Sequence, residues 1–393
     1  MKVLMLSTDA SILLLGSPAR ERMRAYSDIV EKLHVVVVNR RMPREGSAAV
    51  TEGEAGRSRI RVGRRLMLYP TNSCTKAGAF FDALRIAREV LPRKQMQTKK
   101  NWLITAQDPF ETGLVGWLLS ARRGIALEIQ AHTDMESPFF RRESLTNALR
   151  LRIARFLLAR ARGVRVVSER IRQAALSRTK HPPEVFPVFV DVASLRALPL
   201  RADMRKKYPQ FDFLVLAASR LTREKDIGTM LEAMSLVLAK YPKTGLLVVG
   251  DGPERRALLA RAAVRGLEDS VKFLGWQDDL VSYYRSADAY LLTSLYEGYG
   301  RTLIEAASLG CPVITSDVGL AGEVFKDKEN ALVCPVRDAA CFAGNIIRLR
   351  EDEPLKRALV VRAEQAVNGI ALTKEEYLKQ CSKMWHGYLR EPL

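Results

Sequence analysis

Glu297-Gly298-Tyr299-Gly300-Arg301-Thr302-Leu303-Ile304-Glu305 is the stretch around which the 393-residue chain can be read. A hydrophobic run at 289–294 precedes it and reads as a buried strand. An amphipathic run at 302–309 follows, closed by Gly310 and Pro312, and reads as a helix with its stop signal. The order is therefore strand, glycine loop, helix N-terminus. Such a helix start offers backbone N–H groups and a positive dipole end, which suit a phosphate. Glu297 falls at the mouth of the loop and Glu305 in the first turns of the helix. Either acid alone is better explained by a carboxylate balancing the helix dipole. Together, with the glycine loop between them, they are expected to face one cavity and a polyhydroxylated ligand.

Continued through Ala306-Ala307-Ser308-Leu309-Gly310-Cys311-Pro312-Val313-Ile314, the stretch resembles the E-x7-E signature of family 4 retaining glycosyltransferases. The resemblance implies the α/β GT-B fold: two Rossmann-like, doubly wound domains facing a central cleft. It implies that Glu297 approaches a donor sugar and Glu305 holds the nucleotide ribose. Gly298, Tyr299, Gly300, Arg301, Thr302 and Leu303 would line the same donor site. The implied reaction is a retaining, metal-independent transfer that needs no cofactor. A UDP- or GDP-sugar would be the donor, and a glycan or lipid-linked sugar the acceptor.

The length suffices for two domains, each with its own core. At 47% apolar and 27% charged residues the composition is that of an ordinary globular protein. No apolar run approaches the roughly 18–20 residues of a membrane-spanning helix. Residues 1–15 look faintly like a secretory signal, but Asp9 interrupts the apolar region, and a first buried strand at 2–7 fits better. Five cysteines without CxxC spacing argue against a disulfide framework or a zinc site, so a reduced, cytoplasmic protein is expected. Of the net charge of +19, residues 1–190 carry +17, from 34 Lys and Arg against 17 Asp and Glu. That half is expected to meet something anionic, such as the inner face of a membrane.

Strand and helix alternate along the chain, which implies parallel sheets covered on both faces. Strand-like runs in the first half fall at 2–7, 34–38, 64–69, 102–105, 126–130, 164–167 and 185–190. Helical stretches lie at 20–33, 77–91, 112–121 and 143–161. A second series of strands begins at 213–218 and continues at 246–249, 271–274, 289–292, 313–315 and 331–333. The proline-bearing segment 187–202 is the linker candidate. This divides the chain into an acceptor-side domain at 1–190 and a donor-binding domain at 191–372. An amphipathic helix at 373–393 is expected, from the resemblance, to pack back on the first domain.

After the strand at 213–218 comes Ser219-Arg220-Leu221-Thr222-Arg223-Glu224-Lys225-Asp226. A guanidinium fork and a mobile ammonium beside a helix start form a natural diphosphate clamp, although an isolated R-x4-K is more often an exposed basic loop. The stretch resembles the family's G-R-L-x-x-x-K-G segment, whose Arg and Lys neutralise the leaving diphosphate. Ser219 and Asp226 stand where glycines are usual. Gly250-Asp251-Gly252-Pro253 closes a strand and opens a helix, and its glycines permit a tight turn or close approach to a ligand. It matches the family's donor-side loop. The segment around Trp276 resembles the one whose backbone meets the nucleobase.

In the first half, His132 follows the strand at 126–130, at the sheet edge where open α/β folds bind ligands. A lone histidine is more often structural, but the family has an active-site histidine at the matching place. Gly16 is the single glycine of the first βα turn, where many members show two. Arg20, Arg22 and Arg24 are either ligands for an anion or a solvated face. In the helical stretch after Arg141-Arg142, apolar residues 145, 149, 153, 156 and 157 are expected to face inward. Arg150, Arg152, Arg155 and Arg160 would then face outward, toward anionic lipid, an anionic acceptor or water. Phe139 and Phe140 are read as exposed. The stretch 41–59 is polar and uninformative.

Two other readings remain at this level. A basic non-enzymatic protein binding nucleic acid or membrane would account for the charge, but no nucleic-acid reader motif is present and few aromatics interleave with the basic residues. No nucleic-acid partner is therefore expected. A sugar phosphorylase or nucleotide-sugar epimerase would share the fold but matches the local motifs less well.

Overall fold

The computed structural model describes residues 1–40, 51–53, 57–92 and 101–390. Most of the 41–59 stretch therefore lies outside the described residues, as do the last three positions of the expected C-terminal helix. The chain packs as two units. One comprises Met1–Glu136, Arg141–Pro187 and Lys374–Leu393, the other Ser137–Phe140 and Val188–Thr373.

Among the described residues the first unit is built on nine strands: β1 Lys2–Ser7, β2 Lys32–Val37, β3 Thr51–Gly53, β4 Arg57–Val62, β5 Leu66–Pro70, β6 Trp102–Ala106, β7 Ala126–Ala131, β8 Gly163–Val166 and β9 Glu184–Val185. They lie in the order β3-β4-β5-β2-β1-β6-β7-β8-β9. From β5 to β9 the pairings are parallel. Val3, Leu4, Met5 and Leu6 of β1 are wholly buried, as a strand covered on both faces requires.

β4 pairs antiparallel with β5 and was not expected. Its pattern of exposed Arg59 and Arg61 alternating with buried Ile60 and Val62 is the period-2 signature of a half-buried edge strand. The Gly63–Arg65 turn, rich in arginine, obscured that signature. β9 is only Glu184–Val185, which shares a single residue with the expected 185–190 run.

The expected 143–161 helix is present as Leu145–Leu158, and a separate short helix, Pro138–Glu143, precedes it. Ser144 separates them, with extended backbone and a side chain that accepts from Asn147 N–H at 3.0 Å, an N-cap. The second helix is rotated from its expected setting. It buries Asn147, Leu151, Ala154, Leu157 and Leu158, and leaves Leu145, Leu149 and Phe156 exposed. Phe140, read as exposed, is buried.

The helix Lys374–Arg390 belongs to this first unit. It buries Tyr377, Cys381, Met384, Trp385 and Tyr388. Trp385 Nε1 donates to the buried Glu128 carboxylate at 3.0 Å, and Arg165 Nη2 donates to the Tyr377 hydroxyl at 2.9 Å. Burial raises the Glu128 carboxyl above its usual range, and Arg165 opposes that shift.

The second unit has six parallel strands: β10 Phe213–Ala218, β11 Thr244–Val249, β12 Val271–Gly275, β13 Ala289–Leu292, β14 Val313–Ser316 and β15 Leu332–Cys334. Their order, β12-β11-β10-β13-β14-β15, is the doubly wound 3-2-1-4-5-6 arrangement. Val215, Leu246, Leu291, Ile314, Leu332, Phe342 and Ile346 meet in its core. The candidate linker is not loose. It contains the helix Val192–Ala197, capped by Asp191, and Arg196 bonds to Ser308 O at 2.9 Å and Asn368 Oδ1 at 2.8 Å within the same unit.

Cys334, at the end of β15, is disulfide-bonded to Cys341, in the first turn of the helix Ala339–Glu351. This corrects the expectation of a chain without disulfides. The odd cysteine count concealed one local pair, brought within reach by a strand-to-helix turn.

Candidate active site

In a doubly wound sheet the chain leaves the first-formed strand toward one edge and later returns to its other side. The loops after those two adjacent strands diverge and open a crevice at their carboxyl ends. In the second unit the two strands are β10 and β13. The loop after β10 carries Arg220 and Lys225; the loop after β13 carries Glu297 and leads into the helix Arg301–Ser308, where Glu305 sits.

Hydrogen bonds stitch the two loops together. Thr293 Oγ1 donates to the carbonyl oxygens of Lys225 and Asp226, at 3.1 and 3.0 Å, and Leu295 N–H donates to Glu224 O at 2.8 Å. The Lys225 ammonium consequently meets Glu297 Oε1 at 2.5 Å. The Ser294 hydroxyl donates to the same oxygen at 2.7 Å. Asp226 takes a left-handed conformation at φ 44°, which explains why glycine is the usual residue there. Its carboxylate accepts from Thr229 Oγ1 at 2.7 Å, a local bond of the kind that lets Asp occupy this region. Arg220 projects into solvent with its side chain 74% exposed and rests 3.5 Å from Glu224.

Glu305 is held differently. Its side chain is 8% exposed, and the carboxylate accepts from Arg301 Nε at 2.6 Å and from the Tyr284 hydroxyl at 3.3 Å. Gly300 caps the helix at φ 87° without a side-chain hydrogen bond to its first N–H groups. Leu303 is wholly buried and Tyr299 nearly so, so both support the loop from the core. Leu303 reaches the loop through its backbone, donating to Gly300 O at 2.9 Å. Gly298 lies buried within the loop, and Thr302 is half-buried at the helix start.

The neighbouring glycines serve the protein's own backbone. Gly250 has φ 125°, and a Cβ there would lie 1.9 Å from Ser219 O; a Cβ on Gly252 would lie 2.4 Å from Leu221 O. The 250–252 turn thus packs on the loop that bears Arg220, with Leu221 N–H donating to Asp251 O at 2.9 Å. Gly319 does the same on the other side and was missed in the sequence. At φ 56° it approaches Tyr299 O, where a Cβ would come to 2.7 Å. Only its place after the strand β14 could have marked it. Trp276 is 74% exposed, its indole N–H donating to Asp278 Oδ1 at 3.2 Å.

In the first unit, His132 follows β7, and its Nε2 lies 2.9 Å from Gln130 Oε1, while Gln130 Nε2 donates to Thr105 Oγ1 at 2.8 Å. Surrounding protein lowers the imidazole pKa to about 3, with Arg165 and Arg22 adding to the fall. The residue as a whole is nonetheless exposed. Both causes favour the neutral imidazole. Gly16 turns at φ 71° with open space where a side chain would stand.

The basic face of the first helix divides. Arg20 is buried and donates to Leu13 O at 3.3 Å, whereas Arg22 and Arg24 pair with Asp9 and Glu21.

The architecture is that of the GT-B glycosyltransferases. Sucrose-phosphate synthase from Thermosynechococcus elongatus is similar in structure at a TM-score of 0.78, with 20% identity, over 98% of this chain and 99% of its own. Anabaena HepE, solved in complex with UDP, is similar at 0.71, with 20% identity, over 98% and 100%.

Residues 201–366 match the family model of the group 1 glycosyl transferases. A phosphatidyl-myo-inositol mannosyltransferase of Mycolicibacterium smegmatis is 33% identical over 186 residues, 46% of each chain. An N-acetyl-alpha-D-glucosaminyl L-malate synthase of Bacillus anthracis is 29% identical over 190 residues, 48% of this chain and 49% of its own. The chain thus aligns with about half the length of these curated relatives.

Proposed function

We propose that the protein is a retaining glycosyltransferase that moves a sugar from a nucleotide-sugar donor to a hydroxyl of a glycan or lipid-linked acceptor. The observation that carries this is the pairing of Lys225 with Glu297 across the switch point of the second sheet. It sets a cation suited to the diphosphate directly beside an acid suited to sugar hydroxyls.

In this reading Arg220 and Lys225 take up the charge of the leaving diphosphate as the sugar–phosphate bond breaks and the sugar gains oxocarbenium character. The acceptor oxygen bonds to the anomeric carbon from the face the phosphate leaves, and its proton passes to the departing phosphate. Glu297 orients the sugar and forms no covalent bond to it. Glu305 holds the ribose, and the exposed Trp276 segment borders the base. On the first unit, a neutral His132 is suited to hydrogen-bond an uncharged hydroxyl.

The reading draws support from relatives named for glycosyl transfer and from a similar structure that holds UDP-glucose. These favour a UDP-sugar donor, with GDP-sugars as the competing class. The charge clamp is assigned to Arg220 and Lys225 without a metal ion.

A thermal-shift panel of UDP-, GDP- and ADP-sugars tests the reading. One nucleotide class is expected to raise the melting temperature selectively, by preferential binding to the folded state. No shift with any nucleotide sugar would refute it.

A further inference from the structure

The helix Leu145–Leu158 presents apolar and basic side chains on one outward face. Leu145 is 92% exposed, Leu149 57% and Phe156 39%. With Arg152 they fall at the i, i+4, i+7, i+11 spacing of a single helical stripe. Arg152 itself is exposed, and the guanidinium of Arg160 lies 3.7 Å above the Phe156 ring centroid. Trp117 meets Phe156 edge-on at 5.0 Å and extends the apolar surface. Arg141 and Arg142 stand exposed just before the helix.

The flanking arginines are spent on pairing: Arg150 with Glu111, and Arg155 with Glu136. Arg141, Arg142, Arg152 and Arg160 have no acidic partner among the described residues.

We propose that this face is a docking surface for an anionic lipid bilayer. Single exposed leucines are ordinary, but three large apolar side chains along one stripe form a patch that asks for a cover. The arginines decide which cover. Arginines without an acidic partner, on and beside the apolar stripe, match an in-plane membrane helix, which combines inserted apolar groups with cations that reach the headgroups. The guanidinium groups snorkel along the apolar side chains they border. The excess of positive charge in residues 1–190 acts in the same direction. No helix among the described residues is long and apolar enough to cross a membrane, so the helix would lie along the surface. The inference stands on this face alone and is independent of the reading of the sugar site.

Co-sedimentation of the full chain with vesicles tests it. Binding to phosphatidylcholine vesicles containing phosphatidylglycerol is expected, with little binding to phosphatidylcholine alone and a decline as salt rises. The double substitution Leu145→Gln with Leu149→Gln is expected to cut partitioning by about tenfold or more. Arg152→Gln with Arg160→Gln should remove the preference for the anionic lipid. Both double variants are expected to melt like the wild type, which separates lost docking from lost folding. Failure of the wild-type protein to bind anionic vesicles, or wild-type binding by both variants, overturns the proposal. Self-association abolished by the leucine variant, without vesicle binding, would assign the face to a second copy of the chain and also overturn it.

Discussion

Lys225 and Glu297 stand 72 positions apart in the chain, yet the ammonium of one lies 2.5 Å from the carboxylate of the other. Both side chains are largely buried, at 18% and 14% exposure. Removing either leaves its partner as an uncompensated, partly desolvated charge. Arg220, in contrast, is in solvent. Lys225→Ala should therefore lower both the melting temperature and donor affinity, whereas Arg220→Ala should lower donor affinity alone. A loss on the order of 2–4 kcal/mol in binding or turnover is expected from each, as charge-assisted contacts to a diphosphate disappear. Calorimetric titration with the identified nucleotide sugar, beside a melt of each variant, separates the two outcomes.

Glu305 has a structural duty besides its proposed one, because it accepts from the buried Tyr284 hydroxyl and from Arg301. Glu305→Ala should destabilise the second unit by about 1–3 kcal/mol through the orphaned hydroxyl. Glu305→Gln keeps an acceptor and should preserve most of that stability while still weakening nucleotide binding. Chemical denaturation of the two variants, set against nucleotide titration, checks the split.

Gly250 is irreplaceable on backbone grounds. A Cβ at φ 125° would strike Ser219 O at 1.9 Å, and neither backbone segment can yield cheaply. Gly250→Ala should cost on the order of 2–4 kcal/mol and displace the loop that bears Arg220. Gly344→Ala is the control, since its Cβ would meet nothing within 4 Å. Equal melting temperatures for the two variants would contradict the packing described.

Gly163 on β8 lets the C-terminal helix dock, because a Cβ there would lie 2.3 Å from the Tyr388 ring. Gly163→Ala should loosen the helix Lys374–Arg390. Faster amide exchange in that helix than in β10 is the expected signature, with the second unit unchanged.

His34 gives the first unit an acid-sensitive element. It is stacked between Tyr69 and Trp102, with Nδ1 2.9 Å from the Tyr69 hydroxyl. Burial, with Lys32 and Lys2 adding, lowers its pKa to about 4. The unfolded chain then binds the proton first, so stability falls as pH drops from the ordinary histidine range toward about 4 and changes no further below it. Melting curves of His34→Gln should show a flatter acid limb across that window than the wild type.

Much of the architecture was legible because its signals are local. Continuous apolar runs such as Val3–Leu6 of β1 and the whole of β10 can be buried on both faces only inside a parallel sheet. The glycine loop at 298–300, with an acid on either side, specified a strand-to-helix turn. The same locality explains the failures. Leu145, Leu149 and Phe156 satisfy a helical period, but period alone does not say which arc of the helix the sheet covers. The Arg59–Val62 alternation was short and lay beside a run of arginines.

The amino-acid sequence by itself determined which segments become strands and helices of the two units, since backbone periodicity and glycine placement act within a few residues. It also marked the two charged loops of the second unit. Only the tertiary structure decided that β13 returns beside β10, so that Thr293 ties down Lys225 and Glu297 receives its ammonium. Strand order, helix rotation and the Cys334–Cys341 bond are choices among partners distant or unspecified in the chain. They are settled by which arrangement buries the most apolar surface while leaving the fewest polar groups unpaired.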